Sequence, residues 1–158
     1  MNITFGFSKP KSSYKLGAQV IREVEKRDFS HAYIKYVDPI TTIVLVSQAS
    51  HGFVNITNYD IFLEANIVVV EYEYECSEEQ FINVLRYIYT HSGKPYSKFQ
   101  LLLIAIKKIL HFEVNIRNGN KAFICSEWGG NVAKILGLNV PDQLDYETPS
   151  DLEMIVRN

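Results

Sequence analysis

Cysteine is scarce in this chain, neither sign of charge dominates, and no apolar run reaches the length of a membrane span. Each shortage closes off a class of protein. Two cysteines, Cys76 and Cys125, are too few for a disulfide scaffold and have no CxxC spacing, so a reducing compartment is the simpler setting. A formal net charge of -2, built from mixed signs, leaves no electrostatic footprint for nucleic acid or an anionic membrane. The most apolar run, Leu101 to Leu110, is interrupted by Lys107-Lys108 and is too short to cross a bilayer; it reads as a buried core helix. The start Met1-Asn2-Ile3-Thr4-Phe5 lacks a basic region followed by a long apolar one. The expectation is a protein without export signal or integral membrane segment, cytoplasmic or delivered by another system. Close ligand pairs such as CxxC or HxxxH are missing too, and with them the basis for a zinc site. Neither metal nor cofactor is expected.

What is present suits a single domain over residues 1–158. An apolar fraction of 47% against 22% charged is enough to build a core and argues against disorder. No repeat or Pro/Gly/Ser-rich linker divides the chain. Its organising stretch is Lys121-Ala122-Phe123-Ile124-Cys125-Ser126-Glu127-Trp128, where three apolar residues lead into a cysteine and a helical pattern begins. A sulfur at a helix N-terminus lies where outward-facing N–H groups and the macrodipole favour thiolate over thiol. Trp128, Val132, Ile135 and Leu136 form the apolar stripe of that helix, and Gly137 offers a left-handed cap. Cys125, Gly129 and Ala133 make a second, small face that suits close approach to a sheet. A buried structural cysteine is the competing reading of Cys125, since free cysteine is among the most buried residue types.

In chain order, Thr4 to Phe7 reads as a short strand and Lys9-Pro10-Lys11-Ser12-Ser13 as a loop. Leu16, Val20, Ile21 and Val24 then form a helical stripe. Phe29 to Val37 is rich in aromatic and branched residues and ends at Asp38-Pro39, which predicts a strand with His31 on the face of Phe29 and Tyr33. Thr42 to Ala49 predicts a second strand buried on both faces, with Gln48 in line with Val44 and Val46. The short connection makes the two an antiparallel hairpin, so His31 and Gln48 fall toward the same end. After Ser50-His51-Gly52 and Phe53 to Asp60 comes a strand from Ile67 to Glu75. In it Val68, Val70, Tyr72 and Tyr74 face inward, while Glu71, Glu73 and Glu75 face water. Ser77 to Gln80 and Ser97 to Gln100 are capping-box helix starts, Asn118-Gly119 is a turn, and Thr148 to Glu153 is a capped short helix. This order suggests an α+β fold with an antiparallel sheet packed against helices.

His31 in Phe-Ser-His-Ala-Tyr-Ile, Gln48-Ala49 before Gly52-Phe53-Val54, Gly93-Lys94-Pro95-Tyr96, Phe-Ile-Cys125-Ser-Glu and Thr-Pro-Ser-Asp-Leu resemble, in that order, the permuted NlpC/P60 cysteine peptidases. These are papain-like proteins in which the histidine strand precedes the cysteine helix. The resemblance implies a circularly permuted papain-like fold with Cys125 as nucleophile, His31 as its base and Gln48 as the residue that orients the imidazole. Gln48 departs from the family, which more often has a carboxylate or histidine there; an amide fixes the ring but stabilises imidazolium less. Tyr96 is a candidate for substrate contact or oxyanion support, against a plain reading as an aromatic packed before a helix. The implied chemistry is acyl transfer through a thioester, on a peptide or peptidoglycan-type substrate.

Other titratable residues carry blander explanations. His51 sits in an exposed turn, His91 and His111 follow helix ends where the dipole favours them, and Cys76 lies beside glutamates that raise a thiol's pKa. Two further classes stay open. One is an acyltransferase or lipid-ester enzyme of the lecithin retinol acyltransferase-like branch, although that branch carries Asn-Cys-Glu-His-Phe where this chain has Ile-Cys125-Ser-Glu-Trp. The other is a binding module that kept the fold without turnover. Substrate identity and oligomeric state lie beyond the pattern.

Overall fold

The computed structural model of the chain describes residues 1–12, 22–23, 26–50, 52–95, 124–140 and 148–157. Outside them lie the stripe at Leu16, Val20, Ile21 and Val24, the apolar helix from Ser97 through Leu110, and the Asn118-Gly119 turn. Among the described residues the fold is α+β. Strands β1 (Asn2–Pro10), β2 (His31–Val37), β3 (Val44–Ser50), β4 (Phe53–Asn58) and β5 (Asn66–Glu75) form one antiparallel sheet in the order β4-β3-β2-β1-β5. Four helices accompany it: α1 (Tyr59–Ala65), α2 (Glu78–His91), α3 (Cys125–Ile135) and α4 (Pro149–Arg157). None of them is long and apolar enough to cross a membrane.

Period-two alternation sorts the strand side chains onto two faces. Ile3, Phe5 and Phe7 of β1, with Ala32, Ile34 and Tyr36 of β2 and Ala49 and Val54 beyond them, build the main core. Against it lie Phe81, Val84 and Ile88 of α2, Trp128, Val132 and Ala133 of α3, and Leu152 and Val156 of α4. The opposite face carries a smaller cluster, Tyr33, Val46 and Phe62, with Tyr59, Leu63 and Val68 around it.

The helix starts follow from short-range chemistry. Ser77 Oγ accepts from Gln80 N at 3.2 Å and Gln80 Oε1 from Ser77 N at 3.0 Å, the reciprocal box expected there. Thr148 Oγ1 accepts from Asp151 N at 3.3 Å, Asp151 Oδ2 accepts from Thr148 N at 2.9 Å, and Pro149 opens α4 where a missing N–H costs nothing. Helix α3 begins at Cys125, as its pattern predicts, and Gly137 follows it at φ 81°.

Five expectations are corrected. Lys9 and Pro10 belong to β1 rather than a loop: they pair with Ile67 and Asn66, and a proline at the last strand position withdraws a donor only where the ladder ends. Strand β3 starts at Val44, because the Asp38 carboxylate accepts from Ile40 N and Thr41 N and the turn runs through Thr42 at φ 60°. Ile43 and Val44 are therefore exposed rather than core. On β5 the register shifts between Phe7 and Ser8, so Val70, Tyr72 and Tyr74 join the main core while Val68 turns to the second cluster. Glu71 does not face water: it is half-buried and accepts from Tyr33 at 2.6 Å, from Tyr59 at 3.0 Å and from Lys35. Finally, the small position Gly129 lies against Leu152 of α4, not against the sheet.

Gly6 marks the tightest approach on the second face, where a Cβ would overlap the Tyr33 ring. We expect Gly6→Ala to cost about 2 kcal/mol, in the range of core overpacking, read as a lower midpoint in urea melts. Adding Tyr33→Leu should return part of that loss.

Candidate active site

His31 opens β2, and what precedes it is already fixed. Phe29 is buried with its ring 5.0 Å from that of Phe7, and Ser30 N donates to Ser8 O at 3.0 Å. The imidazole, half-buried, donates from Nε2 to Gln48 Oε1 at 2.7 Å. An amide oxygen only accepts, so this bond requires the proton on Nε2. The neutral ring then holds its basic lone pair on Nδ1. Gln48 is buried, 7% exposed, on a strand paired on both sides, and its backbone is opposite Asn55 in the β3–β4 ladder. A glutamine held this way resists rotation and fixes the ring with it.

Cys125 is the first residue of α3, 3% exposed. The first N–H bonded within the helix is that of Trp128, which donates to Ile124 O at 3.0 Å. The N–H groups of Cys125, Ser126 and Glu127 therefore face out along the axis. Helix α3 packs on β2 and β3, the strands that carry His31 and Gln48. Its direction follows from α2. Gln80 at the start of α2 donates to Leu136 O at the end of α3, while the Trp128 ring in the first turn of α3 stacks on Tyr87 (centroids 4.8 Å apart) and meets His91 edge-on. The end of α2 is in turn tied to the start of β4, through Gly93 N to Val54 O and Val54 N to Lys94 O. Val54 pairs with Ala49, next to Gln48. Thus α3 begins at the end of the sheet where His31 and Gln48 meet.

The other candidates fall elsewhere. Tyr96, His51 and His111 lie outside the described residues. His91 ends α2 with Nδ1 at 2.8 Å from Tyr87 O, which ties the ring to its own helix. Cys76 donates its thiol to Met1 O at 3.3 Å; burial pushes that thiol up first, with Glu75 adding to it. Burial thus outranks the row of glutamates as the cause. Among the described residues no three His, Cys, Asp or Glu are grouped to hold a metal ion.

The polar cluster that the sequence pattern missed is Glu71 with Tyr33, Tyr59 and Lys35, the Lys35 ammonium also lying 4.8 Å from the Tyr59 ring centre. It has no local signal, because its members come from two strands and a helix, and alternation puts Glu71 in a row of water-facing glutamates. Burial raises the Glu71 carboxyl, but hydrogen bonds from Lys35 and Tyr33 outweigh it and hold the group below its ordinary range. Tyr33 is pushed the other way, up, by burial first and then by Glu71. The four groups satisfy one another on the face opposite α3.

Comparison with protein-family models gives no match, and comparison with curated proteins gives none either.

The Glu71 shift has a definite sign. A carboxyl depressed in the folded state contributes stability that is fully present above its unfolded value of 4.5 and is lost as pH falls through the folded value. Glu71→Gln should therefore lower stability at neutral pH and flatten its decline on acidification, measured by urea melts across the acid range. An acid limb as steep as that of the unsubstituted protein contradicts this assignment.

Proposed function

We propose that the chain is a cysteine hydrolase that cleaves an amide bond in a peptide or peptidoglycan stem peptide, on a circularly permuted papain-like scaffold of the NlpC/P60 kind. The observation that carries this reading is the 2.7 Å hydrogen bond from His31 Nε2 to Gln48 Oε1. It leaves the basic nitrogen of the ring as Nδ1, at the end of the sheet where the cysteine helix begins. In this reading Gln48 has the part that the resemblance gives it, and His31 is ready to take a proton without a change of tautomer.

The chemistry follows from that tautomer. His31 Nδ1 takes the Cys125 thiol proton, assisted by the helix N-terminus, which favours the anion. The thiolate attacks the amide carbonyl carbon, and the oxygen that becomes negative is held by outward N–H groups of the first turn of α3. Collapse breaks the C–N bond as imidazolium gives its proton to the leaving amine. Water, deprotonated by His31, then attacks the thioester and regenerates the thiol. With a neutral amide behind the ring, imidazolium is stabilised less than by a carboxylate, so Gln48 acts through orientation.

The burial of Cys125 favours a second reading, a binding module in which the sulfur is core packing. Hydrolysis of an amide and thioester panel separates the two. On the hydrolase reading Cys125→Ala abolishes turnover, His31→Ala costs on the order of 10²–10⁴-fold, and Gln48→Ala costs less than His31→Ala. Alkylation by iodoacetamide gives a substrate-free check, since Cys125 should react at lower pH than Cys76 and lose that advantage in His31→Ala. Acyl transfer to an added amine or alcohol in place of hydrolysis would identify an acyltransferase. A Cys125 that stays inert from acid to neutral pH sinks the enzyme reading.

A further inference from the structure

Resting on the reading of Cys125 and His31 as a reacting pair, we propose that α4 is a clamp that sets their mutual position, with Arg27 and Glu153 as positioning residues. Two neighbouring side chains of α4 reach the two halves of the site. Leu152, fully buried, fills the notch at Gly129, one turn into the cysteine helix, where a Cβ would overlap it. Glu153, 4% exposed, accepts from Tyr72 of β5 at 2.5 Å and pairs with Arg27 at 3.4 Å. Arg27 belongs to the segment that delivers His31.

From Asp28 onward that segment is tied to β1, through Lys9 to Asp28, the Phe7 and Phe29 rings and Ser30 N to Ser8 O, and Arg27 ties it to α4 as well. Lys26 has φ 51°, a left-handed conformation unfavourable for a residue with a Cβ, and the chain must run from there through Phe29 and Ser30 into β2 in register. The Arg27–Glu153 contact is an ion pair without an aligned hydrogen bond, since Glu153 Oε2 has no hydrogen-bond donor. A buried carboxylate so arranged contributes little net stability, and an apolar residue of similar size would serve packing as well. Its distinctive property is geometric: it fixes Arg27 relative to α4. The positive charges that act on the Tyr72 hydroxyl beside it are Arg157 and Arg27. Helix α4 is itself anchored, at its start by the Thr148–Asp151 box and near its end by the Tyr74 hydroxyl donating to Val156 O. A rigid helix thus grips the cysteine helix with one residue and the histidine lead-in with the next.

The test is the rate of Cys125 alkylation by iodoacetamide from acid to neutral pH, followed by mass spectrometry. It compares the unsubstituted protein with His31→Ala, Arg27→Gln, Arg27→Lys and Glu153→Gln, using Cys76 as internal control and thermal melts for folding. At mildly acidic pH both glutamine variants should lose about tenfold in Cys125 rate, equivalent to one unit in apparent pKa. Arg27→Lys should keep most of it, with the Cys76 rate unchanged throughout. Should Glu153→Gln fail to fold, Arg27→Gln carries the test, its side chain being 37% exposed. An unchanged pH profile in the glutamine variants, with His31 dependence intact, overturns the clamp alone. Loss of His31 dependence in the unsubstituted protein overturns the pair and the clamp together.

Discussion

Strand β1 holds the two parts of this molecule together. It is bonded on both sides, to β2 along one edge and to β5 along the other, and Ile3, Phe5 and Phe7 on its core face have essentially no exposure. Each such side chain contributes about 1.5–3 kcal/mol by leaving water. Phe5 meets Tyr74 and Phe7 meets Tyr72 edge-on, while Phe7 also holds Phe29, the last large residue before His31. The same aromatic row therefore sets both the position of β5, to which α4 is fastened, and the height at which β2 begins. The register shift after Phe7 completes the arrangement by turning Val68 away from the main core and toward α1.

The sheet separates two kinds of environment. Its main face is apolar and takes the long helices, with the sulfur of Cys125 included in that core. The opposite face holds the ionised cluster around Glu71 under the short helix α1. On the apolar side the few buried polar groups matter more, because low dielectric strengthens every charge interaction. Glu153 is such a group.

Much of this was legible locally. The box at Ser77–Gln80, the proline-led start at Thr148–Asp151 and the stripe from Trp128 to Leu136 each depend on bonds or spacings within two turns of helix, so the residues that make them are adjacent in the text. The β2–β3 hairpin was legible for the same reason, its connection being too short for anything but an antiparallel return. Hairpin geometry alone therefore brought His31 and Gln48 toward one end. Where reading by pattern failed, the deciding contact came from a distant strand or helix. Glu71 resembles Glu73 and Glu75 in every local respect and differs only in having Tyr33, Tyr59 and Lys35 around it. Gly129 looked like a surface for the sheet until Leu152 occupied it.

The sequence by itself determined the α+β class, the helix starts at Glu78, Cys125 and Pro149, with the cysteine at the head of its helix, and the polar pair on neighbouring strands, because each rests on local hydrogen bonding and periodicity. Tertiary structure alone decided that α3 runs so that its first turn lies at the His31 end. That direction is set by Trp128 against Tyr87 and Gln80 against Leu136, contacts between residues far apart in the chain. It alone decided, too, that Leu152 and Glu153 reach the two halves of the site at once. Such meetings depend on how buried faces close over one another, and no periodicity along a single strand or helix encodes which distant face will arrive.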